Sequence, residues 1–504
     1  MNTVFQEPNS IFSQKRNRKS QSRRRPRSKS KLQNKSNHHS KTQKAATKIQ
    51  SFFKRTETPR KIAFLKAVCS DAGECVMFGK ETKNIKRVFH DFTLHHTDSL
   101  QIRRMGAVSN NGFVVELPFT RSGYTAYGVL KSSASADADN LLYEAFVGIF
   151  INKITAYYPC FIETYASYVY ENEMIYNHLK EGSSVKKDDL VKGLTENKPL
   201  SYTTLWKDSL LKKSCTDPQK FAVLLQHIKG ATSIHDQMMS LKGDSDFFTV
   251  HLIAYLFQVY CPLHKMEDHF THYDLHTENV LIYTPSVCSH THGISYGSSD
   301  KYIRMMYHYH DGTTLEFNTF GIAKIIDYGR CYMNDTQTKI TSKDFYNKLC
   351  EVDKDCGWES GYSSFEEEDP YGSFHYICSQ KHNQSHDLRL INMIWKITGK
   401  YSGENSAPLR TIMAKTVYDD EYALKESGQD DGFGTPEVRG ESYLRVGDPI
   451  KNVRDMHNAL HNLIQNEPYF KLENDRIFKD KTKIGEMHMW VDFSKKMEYI
   501  PTLA

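Results

Sequence analysis

The first half of the chain alternates short apolar runs with polar breaks. The segments at 126–133 (AYGVLKSS), 161–171 (FIETYASYVYE) and 221–230 (FAVLLQHIKG) predict strands, and strand character also extends over 105–117. Between them, residues 138–154 repeat apolar side chains at helical spacing, at 141, 142, 145, 146, 149 and 150. The pattern therefore predicts several strands with one helix packed on them.

A polar, lysine-rich stretch at 172–218 interrupts this pattern and is predicted to be an insertion. Beyond it, the spacing predicts helices at about 232–242, at 246–266, from about Asp387 and near 450–466.

Strand signals also occur in the second half. A hairpin is predicted at 301–318, turning at Asp311-Gly312, and a strand at 322–330. The most apolar run, 250–263, is shorter than the roughly 18 residues of a membrane span, and it is interrupted by Gln258. We therefore expect a buried helix there and no transmembrane segment.

Charge separates the first 61 residues from the rest. They hold 18 Lys and Arg against two acids, which leaves 48 basic and 58 acidic side chains in the remainder. Residues 1–44 are too polar to bury a core, so we predict a disordered basic arm. Its densest part, 15–31, favours nucleic acid or an acidic protein as a partner, or nuclear targeting. A solubilising tail is the alternative.

Residues 45–61 predict a short basic amphipathic helix, because Ile49, Phe52 and Phe53 share one face. The segment resembles the calmodulin-binding IQ motif at Ile49, Gln50 and Lys54, which implies calmodulin as a partner through 45–60. A helix that packs on its own domain is the alternative. The ten cysteines include no C-x-x-C pair, and we expect reduced thiols.

The segment HYDLHTENVLIY at 272–283 carries the first chemical signal. Asp274 can orient an acceptor hydroxyl or take its proton. Asn279 precedes the apolar run and offers an amide oxygen, a ligand type that Mg²⁺ accepts. His276 lies between them. Taken together, these residues suggest a loop for phosphoryl transfer.

Three further residues complete the requirements of that reaction. Asp327 ends an apolar strand before Tyr328-Gly329 and supplies a second oxygen ligand. Lys131 lies on a predicted strand and Glu144 on the next helix, so they can form an ion pair that presents an ammonium group to phosphates. The sequence thus supplies the parts that bind a metal–nucleotide and orient an alcohol.

In this order, the elements resemble those of the protein-kinase-like superfamily over about residues 100–400. GVLK at 128–131 is similar to the strand-lysine motif VAIK, 272–279 to the H-x-D…N catalytic loop, and 327–329 to the DFG element. In detail the chain resembles the divergent serine/threonine kinases of large DNA viruses of eukaryotes.

The resemblance implies a bilobal α+β protein-kinase-like fold. The small lobe would span 85–228 and be mainly antiparallel sheet plus one helix, and the large lobe, 229–504, would be mainly helical with a C-terminal appendage. ATP and Mg²⁺ are the implied cofactors. The implied site residues are Asp274 and His276 as catalytic, Asn279 and Asp327 as metal ligands, Lys131, Glu144, Gly106, Gly112, Gln226 and Ile228 as ATP-binding, and His272 and Asp387 as structural support.

Four departures from the family pattern bear on the acceptor. Val108 stands where the nucleotide-covering loop has its middle glycine, and Tyr273 replaces the Arg before the catalytic Asp. Control by a phosphorylated activation loop pairing with that Arg is therefore not expected. No APE motif lies between Asp327 and Asp387, and His276 stands where serine/threonine kinases carry Lys. The last two departures are commoner in small-molecule kinases.

The resemblance implies a protein serine/threonine kinase that uses Asp274 as catalytic base on a protein substrate. A small-molecule kinase of the aminoglycoside- or choline-kinase type and a pseudokinase scaffold stay open as alternatives. No secretory segment is evident near Met1, so we expect an intracellular protein, in the host cytoplasm, the nucleus or the virion.

Overall fold

The computed structural model describes residues 65, 69, 73–76, 79–109, 112–135, 138–241, 244–285, 300–352, 364–366, 375–398, 407–416 and 449–502. Residues 62–504 form one compact unit. The predicted basic arm at 1–44 and the IQ-like helix at 45–61 lie outside the described residues. The protein has a mixed α+β fold with several antiparallel sheets.

The first half is built on one six-stranded sheet. Its described elements are α1 (Thr82–Val88), β1 (Gln101–Ile102), β2 (Arg104–Met105), β3 (Gly112–Arg121), β4 (Tyr124–Ser133), α2 (Leu141–Ile154), β5 (Thr164–Tyr170), α3 (Glu173–Glu181), β6 (Val185–Lys186), α4 (Lys187–Gly193), β7 (Leu194–Glu196), α5 (Tyr202–Leu205), α6 (Asp208–Thr216) and β8 (Phe221–His227). The strand order is β2-β3-β4-β8-β5-β7, and each neighbouring pair is antiparallel.

Alternation along β3 explains why this sheet has two different faces. Phe113, Val115, Leu117 and Phe119 are buried and share one face, as the period of two in a strand requires. They pack in a cluster with α1, α3 and α4. The residues between them are only partly buried, which leaves the opposite face to α2 and the candidate site.

The prediction of one helix in this half is wrong, because the polar 172–218 segment also folds into helices. In α3, Ile175, Tyr176 and Leu179 are buried while most of the remaining side chains face solvent. A lysine-rich stretch can therefore be helical when three or four apolar residues recur at helical spacing. The helix α6 buries Leu211 and Ser214 and is otherwise more exposed.

The second half contains more sheet than the pattern predicted. Its described elements are β9 (Thr232–Ser233), α7 (Ile234–Ser240), a π-helical turn (Phe247–His251), α8 (Leu252–Lys265), β10 (Phe270–Thr271), β11 (Val280–Tyr283), β12 (Lys301–His308), β13 (Thr314–Thr319), β14 (Ile322–Ile325), β15 (Tyr332–Asp335), β16 (Ile340–Thr341), α9 (Ser342–Val352), β17 (Ser364–Glu366), β18 (His375–Ile377), a 3₁₀ turn (His386–Leu388), α10 (Arg389–Thr398), α11 (Ala407–Lys415), α12 (Val453–Asn466), α13 (Pro468–Phe478), β19 (Thr482–Trp490) and β20 (Glu498–Pro501).

The C-terminal segment joins the predicted hairpin in one sheet, in the order β13-β12-β19-β20. Strand β19 runs parallel to β12, and Met487 and Met489 on it are fully buried. The hairpin turn contains Gly312 with φ +84°, a conformation that favours glycine. The C-terminal residues are therefore part of a sheet that extends the second half of the molecule.

The helical stretch Phe247–Lys265 forms the centre of the second half. Within the described part of the chain it is the one helix that length and composition would allow to cross a membrane, and most of it is buried inside the protein. Its burial agrees with the sequence prediction of a core helix at 246–266.

The expectation of reduced thiols is wrong for three of the described cysteines, because Cys69, Cys75 and Cys215 are disulfide-bonded. Cys69 and Cys75 are joined by a disulfide, six residues apart in the chain. Sequence spacing alone did not reveal this pairing, because it depends on how the chain folds back next to β4. Cys160, Cys261 and Cys331 are buried thiols.

The buried imidazole of His251 makes a testable contribution to acid sensitivity. Burial lowers the pKa of His251 to about 3, so the unfolded chain binds its proton at a higher pH than the folded chain does. The stability contributed by the neutral ring is complete above pH 6.5 and is lost as the pH falls towards 3. Relative to His251→Phe, we expect the wild-type free energy of unfolding to fall by about 1.4 kcal/mol per pH unit between pH 6 and 4.

Urea unfolding at several pH values measures this difference. His95 is exposed, so His95→Asn should leave the wild-type pH dependence unchanged. Parallel pH curves for wild type and His251→Phe would contradict the prediction.

Candidate active site

A buried lysine links two carboxylates that lie far apart in the sequence. Lys131 Nζ on β4 lies 2.8 Å from Glu144 Oε2 on α2 and 2.8 Å from Asp327 Oδ1, which follows β14. The Glu144 side chain is fully buried, whereas the Asp327 side chain is 24% exposed. The ammonium group therefore pairs with one carboxylate in the protein interior, Glu144, and with one that is partly open to solvent, Asp327.

The charges in this group stabilise one another. Burial opposes ionisation of Lys131, but the carboxylates of Asp327 and Glu144 raise the pKa of the amine above its ordinary value. Burial works against ionisation of Asp327 too, and Lys131 nevertheless holds the pKa of that carboxyl below its usual range. For Glu144, burial prevails and raises the pKa to about 7. At neutral pH the site thus presents a charged ammonium beside a charged carboxylate.

Helix α2 is positioned by its cap and by the chain that follows Asp327. The side chain of Asn140 accepts hydrogen bonds from the backbone N–H groups of Leu142 and Tyr143, which fixes the first turn that contains Glu144. The Tyr143 hydroxyl donates to the Cys331 carbonyl and lies 2.7 Å from the Ser342 hydroxyl oxygen. Near the other end of the helix, Lys153 pairs with Asp335 on β15. These contacts hold Glu144 within reach of Lys131.

The predicted catalytic loop, His272–Asn279, connects β10 and β11. The Asn279 amide nitrogen donates to the Asp274 carbonyl at 2.9 Å and lies 3.4 Å from Asp274 Oδ2. The loop thus holds Asp274 and Asn279 side by side, and the amide nitrogen of Asn279 is occupied by these contacts within the loop. The amide oxygen of Asn279 is then the atom that could bind a cation.

Asp387 holds the backbone of this loop. Its carboxylate accepts hydrogen bonds from the His272 N–H at 2.9 Å and the Tyr273 N–H at 3.1 Å. Tyr273 has φ +62°, a strained conformation for a residue with a side chain, and these hydrogen bonds compensate for it. The His272 ring donates from Nε2 to the Ile326 carbonyl at 3.0 Å, which ties the loop to the residue before Asp327.

Asp387 is itself fully enclosed by the protein. Burial raises the pKa of Asp387 to about 7, while the two amide donors favour the ionised form. The position of the loop therefore depends on a carboxyl group that has no contact with solvent. His272 and Asp387 thus both contact the backbone at or beside the ends of the site's loops, and their supporting role stays a prediction.

The predicted nucleotide-covering glycines lie at the ends of neighbouring strands. Gly112 pairs with Ser133, two residues from Lys131, and a Cβ at Gly112 would meet the Ser132 carbonyl oxygen at 2.5 Å. Gly106 has φ +60°, which favours glycine. The Ser109 hydroxyl accepts a hydrogen bond from the Gly112 N–H at 3.0 Å. A side chain is therefore disfavoured at both positions, by a steric clash at Gly112 and by the positive φ at Gly106.

The predicted hinge residues lie at the end of β8, the strand next to β4. Gln226 pairs with Gly128 on β4, three residues before Lys131, and its N–H donates to the Glu163 carbonyl at 2.7 Å. Ile228 is buried just after the strand ends. The structure thus brings Gly112 and Gln226 beside the strand that carries Lys131.

Sequence reasoning missed two arginines at the site. Arg389 Nη1 lies 2.9 Å from Asp274 Oδ1, and the Arg330 Nε lies 3.3 Å from both carboxylate oxygens of Asp139. The signals were present, since Arg330 directly follows Gly329 and Arg389 lies two residues after Asp387. His276 lies farther from the Asp274 carboxylate than Arg389 does, with its Nε2 3.7 Å from Asp274 Oδ1.

The oxygen donors fit a hard cation such as Mg²⁺ better than a softer metal. Asp327 and Asn279 offer carboxylate and amide oxygens, and Mg²⁺ binds through one or two such groups together with substrate phosphates and water. Among the described residues, no cluster of three His, Cys, Asp or Glu side chains forms a complete metal cage. Two such oxygen donors would leave the other positions of an octahedral Mg²⁺ to water or to another oxygen ligand.

No protein-family model matches the chain, and no curated protein matches it either. Cavities of about 320 and 920 Å³ lie elsewhere, the first lined by β12, β13 and α13 and the second by α11 and α12. A functional interpretation must therefore start from the residues around Lys131 and Asp274.

Proposed function

We propose that the chain is an ATP- and Mg²⁺-dependent phosphotransferase with a bilobal protein-kinase-like fold, acting on an alcohol group. The observation that carries this proposal is the double contact of the Lys131 ammonium, 2.8 Å from Glu144 and 2.8 Å from Asp327. Glu144 is 13 residues and Asp327 is 196 residues from Lys131 in the sequence, and the motif resemblance had assigned all three to one site.

The fold of the first half supports the same proposal. The resemblance implies a small lobe of mainly antiparallel sheet, with the lysine on a strand and its glutamate on a helix. The six-stranded sheet with Lys131 on β4, and α2 with Glu144 in its first turn, have that form. The loop from His272 to Asn279 belongs to the second half, as a catalytic loop of the large lobe would.

Each residue then has a role in the transfer. Asp274 orients the acceptor hydroxyl and takes its proton, while Lys131 contacts the α- and β-phosphates. Asn279 and Asp327 would hold Mg²⁺, which neutralises charge on the phosphates. The loop between Gly106 and Gly112 would cover the nucleotide, and Gln226 and Ile228 would lie beside its base.

The acceptor is proposed to be a serine or threonine of a protein. The chain between Asp327 and Asp387 is long and forms β15, β16 and α9. It is fastened next to the catalytic loop, because the Tyr273 hydroxyl donates to the Lys381 carbonyl at 2.8 Å. A segment of this length, held beside the catalytic loop, would offer a polypeptide an extended binding surface. His276 favours the alternative, a small-molecule acceptor.

Two assays on the full chain test the function. MgATP at 100 times its Kd should stabilise the fold by about 2.7 kcal/mol, which a thermal shift detects, and omission of Mg²⁺ should weaken the effect. Transfer of the γ-phosphate is then compared between basic model proteins and a panel of aminoglycosides, choline and sugars. Binding without transfer to any acceptor would favour a pseudokinase scaffold, and absence of both would reject the proposal.

A further inference from the structure

The Asp274 carboxylate is held by an arginine outside the catalytic loop. Arg389 Nη1 lies 2.9 Å from Asp274 Oδ1, whereas Oδ2 has a long 3.4 Å contact from the Asn279 amide. Arg389 is 5% exposed and Asp274 is 8% exposed. The contact is therefore a shielded ion pair that fixes one of the two carboxylate oxygens.

The position of Arg389 in the chain links this contact to the support of the loop. Arg389 begins α10, two residues after Asp387, which accepts the His272 and Tyr273 N–H groups. One short segment thus fixes the backbone of the loop through residue 387 and its carboxylate through residue 389. Arg389 Nη1 also lies 3.5 Å from the Tyr273 carbonyl.

We propose that Arg389 is a positioning residue that holds Oδ1 of Asp274 and so directs Oδ2 to the acceptor hydroxyl. This inference rests on the proposed phosphotransferase function and adds a residue to it. A buried carboxylate that loses the cation 2.9 Å away is free to rotate and is less well compensated, so the orientation of the acceptor should suffer.

An arginine suits this task better than a lysine. The guanidinium group is planar and charged at every physiological pH, and its fixed geometry aligns a carboxylate. Lysine at 389 would keep the charge and lose the alignment. The conservative variant should therefore rescue part of the activity that a neutral residue abolishes.

A different role for Arg389 would give different kinetics. If the guanidinium bound the nucleotide phosphates directly, its removal would raise the KM for ATP. If it served only the fold, its removal would lower the melting temperature without a specific effect on kcat. A positioning role through Asp274 predicts a lower kcat with nearly unchanged KM for ATP.

The test uses the full chain with Arg389→Gln, Arg389→Lys, Asp274→Asn and the double variant Arg389→Gln/Asp274→Asn. We expect kcat to fall about 100-fold in Arg389→Gln and less in Arg389→Lys, with KM for ATP within about threefold of wild type. Because Arg389 acts through Asp274, the double variant should lose no more kcat than Asp274→Asn alone.

Arg454→Gln is the control, since it removes an arginine–carboxylate pair with Glu267 that does not involve Asp274 and should keep wild-type kcat. Wild-type kcat in folded Arg389→Gln, or additive losses in the double variant, would overturn the inference while leaving the proposed function intact. If Arg389→Gln does not fold, wild-type kcat in Arg389→Lys, or additive losses in Arg389→Lys/Asp274→Asn, would overturn it. Absence of transfer by the wild type would overturn both.

Discussion

Replacement of Asp274 by Asn is expected to lower the rate of phosphoryl transfer by about 10²- to 10⁴-fold, the usual contribution of a positioned general base. Asn has nearly the shape of Asp and can still accept a hydrogen bond from Arg389, but it cannot take the proton of the acceptor hydroxyl. Lys131, Glu144 and Asp327 are untouched by the change, so MgATP should still stabilise the variant. Initial rates with labelled ATP and a thermal shift measure the two properties separately.

A matched carboxylate far from the site provides the control. Asp475 is exposed on α13, and Asp475→Asn should transfer phosphate at the wild-type rate. Equal rates for wild type and Asp274→Asn would contradict the role of Asp274, even if both proteins bind MgATP.

The residues of the candidate site were predictable because their signals are local. Asp274 and Asn279 lie five residues apart in one loop, and Lys131 and Glu144 lie on a strand and the helix that follows it. Strand alternation and helical periodicity placed β4, β8 and α2 correctly to within a few residues. Asp327 was recognisable because a carboxylate and a glycine follow an apolar strand.

What the sequence did not reveal depends on contacts between distant segments. The parallel pairing of β12 with β19 joins residues about 180 positions apart. The sequence of neither strand indicates which other strand it pairs with. The pairing of Asp274 with Arg389 is of the same kind, because a loop carboxylate can be met by any cation that the fold brings near. The helices of the 172–218 segment were missed for a different reason, since each of them is short and buries at most three apolar side chains among many polar residues.

Replacement of Lys131 by Met should lower the free energy of unfolding by about 3–5 kcal/mol, the usual cost of removing one partner of a buried ion pair. Glu144 is fully buried, so without the ammonium its carboxylate has to stay charged in the protein interior or take up a proton. Lys213→Met provides the control, because Lys213 pairs with the exposed Glu171 and such pairs contribute at most about 1 kcal/mol. Urea unfolding monitored by tryptophan fluorescence measures both variants.

The double variant Lys131→Met/Glu144→Leu separates stability from function at this site. The double variant removes the fully buried charge of Glu144 and leaves that of Asp327, whose side chain is 24% exposed, so much of the lost stability should return. Transfer activity should not return, because no ammonium group then neutralises the phosphates. Asp327 also loses its ion pair with Lys131, which is 2.8 Å long in the wild type. A double variant as stable as the wild type and fully active would show that the buried pair is a structural ion pair, and that the phosphates are neutralised by another cation.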